Sequence, residues 1–174
     1  MNRQGGFSLL ELLCVLAILS LFAYAGSAQF LVLSQSSQDK STIQNGMKKL
    51  SDALTQARQL AVVSGQTSYL CGGIECDGDW SSGFVLYQNN LSSGNYASSD
   101  KTYQGVSFDE NLNVYWQGFP INKQQIEFQS DGLSGYQNGT FEFCLNAWQA
   151  SLILNQSGRF YITDPQEKEE GACL

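Results

Sequence analysis

Gly5-Gly6-Phe7-Ser8-Leu9-Leu10-Glu11-Leu12-Leu13 opens a run that stays apolar to Leu33, apart from Glu11 and a few small or amide side chains. As a helix, Phe7 to Leu33 would be about 40 Å long at about 1.5 Å per residue. That length crosses a hydrocarbon core of about 30 Å. Arg3 is the sole charged residue before the run, and Lys40 is the next cation after it. The positive-inside signal is therefore sparse, but it favours a cytoplasmic N-terminus and an exported remainder. A carboxylate within such a segment is costly, so Glu11 marks a functional site that needs a partner.

The helical period continues past the apolar run. Ile43, Met47, Leu50, Leu54, Ala57 and Ala61 recur at alternating steps of four and three, which sets them on one face, while Lys48, Lys49, Asp52 and Arg58 lie off it. Gly65 after Ser64 reads as a C-cap, so the spacing predicts one helix from near Phe7 to about Val63, with Gly26 and Gly46 as points where it can bend. Beyond Gly65 the chain turns to short strands: Thr67–Leu70, Gly83–Tyr87, Asn113–Trp116, Gln125–Phe128, Thr140–Leu145, Leu152–Leu154 and Arg159–Thr163. Ser93-Gly94, Asp131-Gly132, Asn138-Gly139 and Gln156-Ser157-Gly158 supply turns, and Gln88 to Asp100 reads as a polar loop. The fold class is α+β: a long N-terminal helix whose second half packs on an antiparallel, β-rich head.

Composition narrows the chemistry. The 174 residues suffice for one head plus an accessory element. Histidine is absent, which removes Ser-His-Asp and Cys-His catalysis and every zinc site that needs imidazole. Charged residues are 14% of the chain and the net charge is -7, which argues against a polyanion held by a positive field. Cys14 lies in the apolar run, leaving Cys71, Cys76, Cys144 and Cys173 for the head. Four cysteines in an exported domain read as two disulfides. Nearest-neighbour logic suggests Cys71 with Cys76 and Cys144 with Cys173, although sequence alone does not fix the pairing. Glu75, Asp77 and Asp79 around Gly78 lack the spacing of a calcium loop and read as a solvated turn. Gly72-Gly73 lacks the lysine of a phosphate loop, and Asn138-Gly139-Thr140 is a turn before it is a glycosylation acceptor. No enzyme, cofactor or metal is expected.

Gly6-Phe7 with Glu11 as the fifth residue from Phe7 closely resembles the type IV prepilin processing site. The resemblance implies cleavage between Gly6 and Phe7 by the membrane prepilin peptidase and N-methylation of Phe7. It also supplies the partner for Glu11: the new amino group of Phe7 on a neighbouring subunit, a charge pair that would set axial stagger in a helical bundle. Ala57-Arg58, Leu70-Cys71-Gly72, Cys76, Trp80-Ser81-Ser82-Gly83-Phe84-Val85-Leu86, Phe128 with Gly132, Phe143-Cys144 and Gly158-Arg159 narrow the similarity to the minor pilin and type II secretion pseudopilin H group. Ala28 stands near where many major pilins carry proline, which fits a minor component.

The organisation implied is a leader at 1–6, a transmembrane and filament-core helix at 7–33, an amphipathic helix at 34–64 and a periplasmic head at 65–174. The expected role is a structural subunit of a type IV pilus or type II secretion pseudopilus, in a minor or tip complex. Its expected partners are other pilin or pseudopilin subunits, the prepilin peptidase and the bacterial inner membrane. Two rivals differ in class. A DNA-binding minor pilin for transformation would need basic C-terminal residues, and this chain offers Arg159 followed by Asp164, Glu167, Lys168, Glu169 and Glu170, with Lys101 and Lys123 isolated. A secreted soluble module would need cleavage after Ala23-Tyr24-Ala25, which Glu11 and the renewed apolar stretch Phe30–Leu33 oppose.

Overall fold

The computed structural model describes residues 8–89, 96–121, 124–169 and 173, with residues 23–32 described in their backbone only. Helix α1 runs Leu9–Ser64. Nine strands follow among the described residues: β1 Ser68–Gly72, β2 Gly83–Gln88, β3 Lys101–Ser107, β4 Asn113–Phe119, β5 Gln125–Phe128, β6 Asn138–Leu145, β7 Trp148–Leu154, β8 Phe160–Ile162 and β9 Gln166–Glu167. The chain divides into two compact units, Met1–Gln38 and Asp39–Leu174. Among the described residues, no helix is long and apolar enough to cross a membrane; the span expected at 7–33 includes residues outside the description.

In the second unit the predicted helical stripe is the core. Ile43, Leu50, Ala53, Leu54, Ala57 and Ala61 are fully buried, with Met47 nearly so. The stripe packs with Leu70, Phe84, Leu86, Ile126, Phe128, Phe141 and Phe143 from the two sheets. Gly65 ends the helix with φ +70° and donates its amide to Ala61 O at 3.0 Å. That left-handed geometry is nearly free for glycine. Buried Gln88 ties this end down, donating from Nε2 to Ser64 Oγ at 2.7 Å and accepting from the Tyr103 hydroxyl at 2.9 Å.

The first sheet has the order β3-β2-β1-β5 and the second β4-β6-β7-β8, with β9 also on β7; every pairing is antiparallel. Strands β1 and β2 are buried at every position. Leu70, Phe84 and Leu86 enter the main core, whereas Tyr69, Cys71, Val85 and Tyr87 form a second cluster with Cys76 and Tyr96 against it. Burial on both faces explains the unbroken apolar run Gly83–Tyr87.

The structure corrects one expectation, the turn at Asn138-Gly139, and adds three features. Lys101–Ser107, to which no strand was assigned, is the edge strand β3; its residues are largely exposed, so it carries no clean alternation. Asn138-Gly139 is not a turn but the start of β6, and the turn sits earlier, at Ser134–Gln137, with Gly135 at φ +53° and Tyr136 at φ +66°. Strand β9 was not anticipated. Gly46 is a packing position: an added Cβ would meet Leu112 Cδ2 at 2.6 Å, so glycine here admits a neighbouring side chain to the helix surface. The Asp131-Gly132 and Asn155–Gly158 turns form as read, with Gly132 donating to Gln129 O at 2.8 Å and Gly158 to Asn155 O at 2.9 Å. Ser93-Gly94 lies outside the described residues.

Candidate assembly surface

Over Leu9–Phe22 the helix of the first unit has no polar side beyond Glu11 and Ser20. Leu9, Leu10, Leu12, Leu13, Val15, Leu16, Ile18, Leu19, Leu21 and Phe22 are 46–76% exposed. An α-helix that is apolar on all sides requires an apolar surround, either lipid or other helices. Glu11 stands in its first turn, where the helix dipole favours a carboxylate. Within this sleeve it is also the one acidic side chain of residues 9–33. A sleeve with one anion can pack laterally and pair with one cation. Gly6 and Phe7 lie outside the described residues. Cys14 is a free thiol on the same exposed surface.

At the start of the second unit, two contacts hold α1 to the β6–β7 hairpin. Asn146, in a left-handed turn conformation at φ +51°, donates from Nδ2 to buried Asp39 at 3.0 Å. The Lys40 ammonium stands 3.7 Å from the centre of the Trp148 ring, a cation–π contact. The same hairpin is tied to the C-terminal segment. Disulfides join Cys144 to Cys173, Cα atoms 6.3 Å apart, and Cys71 to Cys76, Cα atoms 5.1 Å apart. Lys168 also donates its amide to Ala147 O at 2.8 Å. Bridges of this kind persist in oxidising compartments.

A third feature was not visible in the sequence. Val114 of edge strand β4 bonds through both its amide and its carbonyl to Ser81 Oγ, at 2.9 and 3.3 Å. Even-numbered β4 residues therefore face away from β6. A cavity of about 360 Å³ opens beside this edge, bounded by Asp77, Asp79, Trp80, Tyr115, Trp116 and Gln124. Phe119, the last residue of β4, and Ile121 just beyond are exposed. Asp77 accepts the Asp79 amide at 3.0 Å and Asp79 the Ser81 amide at 3.1 Å, so the acidic turn folds on its own backbone. Among the described residues, no group of three His, Cys, Asp or Glu side chains is placed to hold a metal ion. Arg159 and Lys101 belong to different sheets, on the β7–β8 turn and at the start of β3. Lys123 lies outside the described residues.

A search of curated protein sequences found no significant match. Among solved structures, the type IV minor pilin FimU of Pseudomonas aeruginosa PAO1 aligns in two crystal forms, each with a TM-score of 0.53. One covers 69% of this chain and 91% of its own at 20% identity, the other 75% and 92% at 18%. The minor pseudopilin EpsH from the type 2 secretion system of Vibrio cholerae aligns over 72% of this chain and 96% of its own at 15% identity, with a TM-score of 0.49. At these identities the FimU likeness establishes the fold. The prokaryotic N-terminal methylation motif matches residues 1–23. The family model of type II transport protein GspH matches residues 47–158, from the buried helical stripe to the β7–β8 turn. With more than half of its length so matched, the chain belongs to the type II transport protein GspH family, whose pilin-like members are structural subunits rather than enzymes.

Proposed function

We propose that this chain is a low-abundance subunit of a type IV pilus or a type II secretion pseudopilus, placed in a minor or tip complex. The prepilin peptidase would cut between Gly6 and Phe7, Phe7 would be N-methylated, and the sleeve from Phe7 to Leu33 would hold the chain in the inner membrane with the head in the periplasm. On assembly, the amino group of Phe7 on one subunit would meet Glu11 of the next. The observation that carries this reading is the apolar sleeve with Glu11 in its first turn, joined to a matched methylation motif. The disulfides agree with a periplasmic head. The net charge of -7 and the acidic residues that follow Arg159 weigh against the DNA-binding alternative.

Glu11→Val tests the assembly role. Removing a charge from an apolar segment favours insertion. The variant is expected in the membrane fraction at or above the wild-type level, with Met1–Gly6 still removed by intact mass, yet depleted at least about tenfold from sheared filaments, as loss of a buried ion pair requires. Wild-type incorporation of Glu11→Val would end the charge-pairing idea.

A further inference from the structure

The outer edge of β4 combines three properties rarely left together on a finished surface. Its backbone is open at Trp116 and Gly118: both share the outward parity of Val114, and among the described residues nothing bonds to their outward amides and carbonyls, whereas Ser81 satisfies Val114. An open strand edge is a template for another strand unless it is covered or charged. Tyr115, Trp116 and Phe119 put aromatic side chains on this strand alongside polar Asn113 and Gln117, and Phe119, its last residue, and Ile121 beyond it are exposed. Beside it lies the cavity whose lining includes Asp77, Asp79, Tyr115 and Trp116.

We infer that β4 receives an extended segment of a neighbouring filament subunit, added as a strand at Trp116 and Gly118, with a lysine or arginine of that segment seated in the adjoining cavity. Backbone hydrogen bonds would supply register-specific attachment and the cavity would select the side chain, the usual division in strand addition. A lining that holds aromatic and acidic residues suits a cationic side chain, through cation–π and charge-assisted contacts, better than a neutral or anionic one. The strand would also cover Phe119 and Ile121. This inference rests on the filament reading, since it takes the occupant to be a subunit of the same assembly.

Photo-crosslinking in cells making the whole assembly tests it. A benzoylphenylalanine replaces exposed Gln117 on β4 in the full-length chain, and in a parallel strain replaces Leu16 in the apolar sleeve. The expected product at position 117 is an adduct to another pilin-type subunit, mapped by mass spectrometry to a segment holding Lys or Arg within about three residues, the spacing of one strand face. Asp77→Asn with Asp79→Asn keeps the oxygens that accept the turn amides and removes the charges. It should lower that adduct about fivefold while leaving the Leu16 adduct unchanged. Adducts at position 16 but none at 117 would overturn strand addition and leave the filament reading standing. Loss of both would overturn the two together. A position-117 adduct to lipid, glycan or nucleic acid, or one indifferent to the Asn pair, would refute the cationic peptide as occupant.

Discussion

Gly46→Ala sets two magnitudes against each other. Replacing a mid-helix glycine by alanine should stabilise by about 1 kcal/mol where the position is exposed. Here the new methyl would lie 2.6 Å from Leu112 Cδ2 and 3.4 Å from Phe143 Cε1. Carbon atoms pack at about 3.5–4.0 Å, so about 1 Å of relief is needed from Leu112. Leu112 is 2% exposed, and its loop is held by Asn111 and Leu112 amides donating to Asp109 at 3.0 Å each. Overpacking of this kind costs about 1–3 kcal/mol. The substitution should therefore destabilise the head by about 1 kcal/mol net. In a Leu112→Ala background the obstructing methyl is gone, and the same substitution should stabilise by about 1 kcal/mol, a coupling of about 2 kcal/mol against a usual additivity error of about 0.5. Urea unfolding of a fragment beginning at Ser34 reads both legs of the cycle, with midpoint shifts of about 0.5 M in opposite directions. Stabilisation by Gly46→Ala in the parent, or additivity of the two substitutions, would refute the packing role.

The loop-closure relation gives about 3.6 kcal/mol for Cys144–Cys173, separated by 29 residues, and about 2 kcal/mol for Cys71–Cys76, separated by 5. Cys173→Ser should accordingly lower the urea midpoint more than Cys76→Ser, and the reverse order would contradict the entropic account. Burial first, then the neighbouring Tyr69, Asp100 and Tyr96, push the Tyr87 phenol above its ordinary range, while burial and then Glu127 raise Tyr69. A folded pKa above the unfolded one means that this stability is complete below about pH 10 and is lost as pH rises further. Phenolate absorbance from these two residues should appear only together with alkaline unfolding; early reversible titration of all eight tyrosines would exclude it. The head should fail to shift duplex DNA at about 150 mM salt, because phosphate binding needs clustered cations, and saturable low-micromolar binding lost in Arg159→Ala would revive the transformation reading.

Legibility in this sequence followed the depth of burial. The stripe Ile43–Ala61 could be read from spacing because one helix face is sealed and the other wet, so period and burial coincide. Strands β2 and β6 were legible for a related reason: continuous apolar or alternating residues leave few other placements. β3 was not, because an edge strand with largely exposed residues and a register shift opposite Leu86 and Tyr87 retains no period to detect. Asn138-Gly139 misled because glycine has two uses. Gly139 stands opposite Gly118, and a Cβ at either would come within 2.8 Å of the Trp116 ring, so the pair is small to let the indole lie across the strands rather than to make a turn.

The two parts of the candidate surface differ in the same way. Glu11 announces itself in one dimension, since a carboxylate among leucines is anomalous whatever the fold, and the physical cost of burying it supplies the reason to look for a cation. The β4 edge has no such mark. Its significance lies in bonds that are not made among the described residues, and those depend on which strand lies beside β6, on Ser81 reaching Val114 from 33 residues away, and on that reach ending before Trp116. Were Ser81 one strand pair further along, the edge would be closed at Trp116 and the cavity would be an ordinary surface dimple. Local sequence encodes the strand, but only the meeting of the two sheets leaves part of it open. A subunit that must be gripped from the side by its neighbours can therefore carry a readable anchor in its helix and an unreadable one in its head.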